Sequence, residues 1–522
     1  MSSSPMTYIP PLCDGACGTT PRSQMPMMEL MMQDMMTMLR MMPTVCWTMV
    51  MQRRHMSWAD MAHMGMQIML ACMEMCMMVC ALPMYMMLPG AMFTMWMGVC
   101  CMVCMAMCWM LNGKEMMHQC VVGSKSWMMG QESDDEKWVF MGGMGMSSRH
   151  CHGTTLPILS KLFSRAMTCI CMPTYGMPMD MLMMMLQRCM PLSTQAKRTL
   201  YAQMRCALLD DTMKRCVVLC HNHSAVVVSQ VISQLCCDIP DEKLCKLEIY
   251  TFGSAAAEFM MPMGESSLES EMPHHMNMSS MHSMDRDSDS DMMPTRKGVH
   301  IEHFAMANDP FAQMGVLKTV RNNMDGRYCG GVFVMNDMSS MMNNPAMSMT
   351  SQQMSQNMTM FSSGIMMEDY LLSMFPAQLL PPSDDSGVPR STMNGGMLDC
   401  TMMIDRDCGS KREIAAMGSY YAASGHKKTG NKRRSWTGLA TMAGMEKEMM
   451  RNGMGAGMDG LEMVRKVCKD CDKHRGRDVS WLCRYAGMSK NGMTMGLGVE
   501  AEMMDSGMMM KGMNMKSMMK GQ

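Results

Sequence analysis

The hardest constraint on this chain is Ala91 to Leu111, AMFTMWMGVCCMVCMAMCWML, a run without one charged side chain. A stretch of roughly 20 such residues must either cross hydrocarbon as a helix or be buried as a core helix. Trp96 and Trp109 stand near its ends, where amphipathic rings favour the membrane–water boundary. Met64 to Leu88 is a second apolar stretch, joined to the first through the turn Pro89-Gly90. Glu74 in its middle would be costly in hydrocarbon. Arg53 and Arg54 precede the pair, and Lys114 and Lys125 follow it. Both flanks therefore favour the cytosol, and the pair reads as a membrane hairpin, with a buried helical hairpin as the alternative.

Composition narrows the rest. The chain has 522 residues, enough for two to four domains, and a formal net charge of -1. That balance argues against a general nucleic-acid binder, which would show a basic excess. There are 100 methionines, spread alike through apolar runs, Ser/Asp-rich loops and Gly-rich stretches. A functional methionine surface would cluster on one face. Many of these positions are therefore expected to stand in for other residue types, and Met marks little in any periodicity. The 27 cysteines show no regular spacing, so they read as reduced and mostly buried. Met1 to Leu12 lacks a basic region followed by an apolar core, so no cleavable export signal is expected.

From about Lys137 short apolar runs alternate with helical stretches. The runs WVFM (Trp138 to Met141), AMTCIC (Ala166 to Cys171), RCVVLC (Arg215 to Cys220) and LEIYTF (Leu247 to Phe252) read as strands, as do Val299 to Ala305 and Gly331 to Met335. Helices are expected over Asp180 to Cys189, Thr194 to Leu209, Ala225 to Cys236 and Asp369 to Phe375. Strands separated by helices imply a mostly parallel sheet in a three-layer α/β domain. The resulting layout is a mostly disordered tail (1–62) with one short helix near Met27 to Met42, the hairpin (63–112) and the α/β domain (135–376). A linker (377–392) and a partly disordered, helical and low-complexity tail (393–522) follow. The domain carries a mobile insert (260–298) and a disordered stretch (338–363), both rich in Ser, Met and polar residues.

The strand Arg215 to Cys220 runs through His221-Asn222-His223-Ser224-Ala225 into a helix. A strand, a sharp turn and a helix N-terminus form the nucleophile elbow of α/β-hydrolases, G-x-S-x-G. The segment RCVVLCHNHSAVVVSQVISQL resembles the elbow of a lipase-like set of α/β-hydrolases found among fungal proteins, where the turn often reads H-S-Q-G-G. Further blocks resemble the same set: KWVFMGGMGMSSRHCHGTTLPILSKLF upstream, then DIPDEKLCKLEIYTFGSAA, HIEHFAMANDPFAQMGVL and GRYCGGVFVMND downstream. The likeness covers roughly Asp135 to Tyr370.

Carried over position by position, the resemblance implies the following. The nucleophile position falls on Asn222, whose amide cannot start acyl-enzyme chemistry. Ser224 is a possible displaced nucleophile, although it lies in the helix start. The acid position falls on Asp309, which as a residue before Pro310 also reads as an ordinary turn former. The histidine position falls on Ile365. Backbone N–H groups near Gly143 and His223 would supply the oxyanion donors. Two of three triad positions are thus unsuited to hydrolysis. The expected protein is a membrane-associated, catalytically degenerate hydrolase-like fold with a binding or scaffolding role, its domain on the cytosolic side. No cofactor is expected, and a lipid-like small molecule is the expected ligand class. An active serine esterase or lipase is the second reading. A copper-handling membrane protein is the third, from the soft ligands of MPHHMNMSSMHSMD (Met272 to Asp285). Cys468-Lys-Asp-Cys471 with His474 is half of a zinc spacing, with Cys483 as the nearest further thiol, and no metal is assigned to it. The basic run His426 to Arg434 reads as a solvated linker.

Overall fold

The computed structural model describes residues 6–11, 27–51, 58–113, 117–120, 135–144, 148–260, 299–322, 328–336, 366–376, 396–400, 402–405 and 475–486. Its strands are β1 (Met6–Ile9), β2 (Met117–Cys120), β3 (Glu136–Met141), β4 (Met167–Ile170) and β5 (Arg215–His221). They continue with β6 (Leu247–Phe252), β7 (His300–Met306), β8 (Gly331–Met335) and β9 (Met402–Ile404). Among the described residues these form one sheet in the order β2-β4-β3-β5-β6-β7-β8-β1-β9. The block from β4 to β8 is parallel throughout. β2 joins β4 antiparallel and β1 joins β8 antiparallel, while β9 runs parallel to β1.

The central strands are buried on both faces and mostly apolar because both faces are covered. Val218, Ile249, Ile301 and Val332 enter one layer, shared with the helices Met177–Cys189, Gln195–Leu209 and Ser224–Asp238. Leu219, Phe252, Phe304 and Phe333 enter the other, shared with the helices Leu156–Phe163 and Met367–Met374. The expected three-layer α/β domain with a mostly parallel sheet is therefore present.

The segment expected to be a disordered tail contributes more than one short helix. It supplies β1 and the helix α1 (Met27–Met51). Asp34 of α1 is fully buried and holds Arg188, with Nε to Oδ2 at 2.8 Å. The helix is the one expected near Met27 to Met42, extended to Met51, whereas the four-residue strand carries too weak a pattern to be seen in sequence. The tail after residue 393 likewise supplies β9, and residues 475–486 pack on the sheet. Ser480 Oγ and the Trp481 backbone N–H both donate to the buried Glu302, each at 2.7 Å. Residues 261–298, 338–363, 379–392, 411–474 and 503–522, expected as insert, linker and tail, lie outside the described residues.

Two helices, α2 (Trp58–Met87) and α3 (Gly90–Asn112), form the expected hairpin. Both are long and apolar enough to cross a membrane. Their buried contact lies at the base, where Leu70 of α2 meets Met107, Cys108 and Leu111 of α3, while near the tip Tyr85 packs edge-on against Phe93 at 5.4 Å. On α2, Met64, Gln67, Leu70 and Glu74 share one buried stripe at helical spacing. Beyond it Val79, Leu82, Met86, Met87, Met95 and Val99 are exposed.

Candidate functional site

The parallel sheet changes winding direction between β3 and β5, since β4 follows β3 on one side and β5 lies on the other. Open α/β sheets take ligands in the crevice outside the carboxyl ends of the strands at such a switch point. The loop after β3 brings Gly143 there, the loop after β4 brings residues 172–176, and the turn after β5 brings Asn222 and His223.

Asn222 sits at the apex of the β5-to-helix turn with φ +50°, one of two non-glycine residues with positive φ among the described residues. Asn tolerates this left-handed conformation better than branched or bulky residues. Its backbone is locked: Asn222 N donates to Phe252 O (2.9 Å), and its carbonyl accepts from Ala225 N and Ala255 N (3.2 Å each). Its side chain is fully buried. A Cβ placed on Gly253, itself at φ +60°, would collide with Asp309 Oδ2 and come within 2.6 Å of Asn222 Oδ1 and 3.0 Å of Tyr370 Oη. Three polar groups therefore gather around a position that only glycine can occupy.

Asp309 follows β7 and caps the short helix Pro310–Met314 by accepting from Phe311 N at 2.8 Å. Its other oxygen accepts from Tyr370 Oη at 2.6 Å. Burial pushes its carboxyl up to about 8, against the opposing pull of the hydrogen bonds from Tyr370 and the Phe311 and Ala312 backbone, so it is largely protonated at neutral pH. Tyr370, from the helix after β8, also accepts from Met306 N at 3.1 Å and fills the space beside the acid. Ile365, the expected histidine position, lies outside the described residues.

Ser224 is fully buried. Its hydroxyl accepts from His221 N (2.8 Å) and lies 2.8 and 2.9 Å from the carbonyl oxygens of His221 and Met141. It ties the end of β5 to the end of β3. His221 is also buried, with its ring edge-on to Tyr370 at 6.0 Å. A Cβ on Gly143 would lie 2.6 Å from the His221 carbonyl oxygen and 2.8 Å from its Nδ1, so the β3 loop passes hard against the turn.

Gly143 and His223, the two expected oxyanion positions, line one cavity of about 420 Å³. Met172, Pro173 and Met183 give it apolar walls, and Thr174, Asp180 and Gln187 give it polar ones. His223 lies 2.8 Å by Nε2 from Gln187 Oε1, and burial lowers its imidazole to about 4, so it is neutral. Burial raises Asp180 to about 6, against hydrogen bonds from Thr174 and the Tyr175 backbone. The cavity thus offers apolar surface with a few convergent hydrogen-bonding groups and one carboxyl, Asp180.

Sequence reasoning named His221 only as part of the turn and missed Tyr370, Gln187 and Asp180. None belongs to a motif, and each reaches the site only through the crossovers of the sheet. Gly253, closing LEIYTF, was the one visible signal. Cys151, Cys169 and Cys171 have sulfurs within 4.8 Å of one another, but they are sealed in the opposite apolar layer. Hydrogen bonding among these thiols and burial hold Cys151 well above the ordinary thiol range. Met272 to Asp285, Cys468, Cys471 and His474 lie outside the described residues, and Cys483 is buried. No family model, curated protein or solved structure matches the chain.

Proposed function

We propose that this protein is membrane-attached through its apolar hairpin and carries an α/β-hydrolase-type domain that binds a lipid-like small molecule without hydrolysing it. One observation carries this reading: an amide, Asn222, holds the strained apex between β5 and its helix, where hydrolases of this type present a nucleophile. The surroundings support it. A protonated Asp309 bonded to Tyr370 cannot orient an imidazolium. Backbone donors survive side-chain loss, so a pocket bounded by Gly143 and His223 remains usable for binding. Arg53, Arg54 and Lys114 flank the hairpin and support a cytosolic position for the domain.

An active serine hydrolase acting through Ser224 is the competing reading. Full burial and bonding to the β3 and β5 backbone weigh against it. A screen with short acyl esters and a fluorophosphonate probe separates the two. Wild type and Asn222→Ser should both fail to turn over esters or take the label, because restoring a hydroxyl at the apex leaves Tyr370 beside a neutral acid. Labelling mapped to Ser224, or turnover abolished by Ser224→Ala, overturns the non-hydrolytic reading.

A further inference from the structure

The hairpin meets the α/β domain through polar contacts that end at Glu74. Gln67 Nε2 lies 3.5 Å from Thr174 Oγ1, Asn112 and Thr174 exchange two hydrogen bonds (2.7 and 2.8 Å), and the Glu74 carboxylate packs over Gly176. Above that level α2 runs only from Met75 to Met87, about 20 Å at 1.5 Å per residue. The hydrocarbon core of a bilayer is about 30 Å thick. The free part of the hairpin is about 10 Å too short to bring its turn to the far side.

The turn is also built for hydrocarbon. From Met75 to Leu111 there is no Asp, Glu, Lys, Arg or His. A hairpin that crosses must place its turn among headgroups and water, yet this one reads Met86-Met87-Leu88-Pro89-Gly90-Ala91. Its backbone is largely satisfied from within: Leu88 N donates to Met84 O (2.9 Å), and Pro89 O accepts from Met92 N (2.9 Å) and Phe93 N (3.0 Å). Pro89 has no N–H to leave unpaired. Thr94, the one hydroxyl on the upper part of α3, donates to Ala91 O at 2.8 Å. A backbone immersed in hydrocarbon needs this internal pairing. At the other end Trp109 is exposed near the packed base, at the level where an interfacial ring belongs.

We propose that the hairpin enters a single lipid leaflet and ends within the hydrocarbon, so that the chain is monotopic and can sit on a phospholipid monolayer as well as on a bilayer. This inference rests on the membrane reading above. The full chain is tested by flotation with phosphatidylcholine vesicles and with triglyceride droplets coated by a phosphatidylcholine monolayer. Wild type should float with both. Met87→Lys, at an exposed tip position, should lose binding to both by on the order of a hundredfold, the cost of a cation in the hydrocarbon centre. Met69→Lys, exposed at the level of the packed base, should keep it. Binding to vesicles but not to droplets, or full retention of binding by Met87→Lys, means a crossing hairpin and overturns the inference. Binding to neither surface overturns the membrane reading itself, and the inference with it.

Discussion

Beside Asn222, Asp309 and Tyr370 hold one another neutral in a buried, hydrogen-bonded pair. Asp309 shows this most directly. Its carboxyl titrates at about 8 when folded, against an ordinary value of 3.8, because burial outweighs the hydrogen bonds from Tyr370 and the Phe311 backbone. Between those values the folded protein keeps a proton that the unfolded chain releases. Stability therefore falls as pH rises from 3.8 to about 8, and the full loss persists above that. Asp309→Asn keeps the shape and an acceptor for Phe311 N but cannot ionise. Urea unfolding at about pH 5 and about pH 9 should show wild type losing on the order of a few kcal/mol more than the variant across that interval. Equal losses would mean that Asp309 is ionised in the fold. The position of Asp309 was legible from its place after a strand and before Pro310. Its partner was not, because Tyr370 lies 61 residues further along and reaches it only through the helix after β8.

The elements divide by how their sequence marks them. The runs RCVVLC, LEIYTF and GVFVM are rich in Val, Ile, Leu and aromatic residues and buried on both faces, so they read directly as strands. β1, β2 and β9 are three or four residues long and largely Met, polar or unpatterned, and nothing local separates them from loop. α1 is legible as a helix near Met27 to Met42, but its place is not, because it is set by a pair formed across 154 residues of chain. Arg188 bonds Asp34 through Nε (2.8 Å) and Nη2 (3.3 Å) and reaches the carbonyls of Ala255 and Met314. Both side chains are almost wholly buried, so removing one partner strands the other charge. Asp34→Ala should cost about 3–5 kcal/mol in chemical unfolding, while Asp34→Leu with Arg188→Met should recover much of it. A loss below 1 kcal/mol, roughly the value of a surface pair, would show that α1 is held by its apolar contacts alone.

At the scale of the whole molecule, the hairpin and the cavity share one loop. Residues 172–175 form a wall of the cavity, and Thr174 among them also receives the hairpin's base. Asn112, the last residue of α3, accepts from Thr174 N at 2.8 Å and donates to Thr174 O at 2.7 Å, so one amide side chain satisfies both backbone groups of that residue. On the other side Tyr175 N donates to Asp180 Oδ1 at 2.8 Å, and Thr174 Oγ1 donates to Asp180 Oδ2. The loop is therefore held from the hairpin side by Asn112 and from the sheet side by Asp180. Asn112→Ala removes only the first hold and leaves Thr174 with two unmatched backbone groups, a cost of about 1–3 kcal/mol each while the loop stays closed. Opening the loop to water relieves that cost, so the substitution should act locally. Hydrogen exchange at the Thr174 amide should speed up by at least tenfold in Asn112→Ala, with a smaller gain at Tyr175, whose bond to Asp180 is untouched. Exchange in β5 and β6, which lie at the centre of the sheet, should not change. Faster exchange throughout the sheet would instead show that the hairpin's base supports the whole fold. Unchanged exchange at Thr174 would show that Asp180 alone holds the cavity wall, and that what happens at the lipid surface cannot reach the pocket by this route.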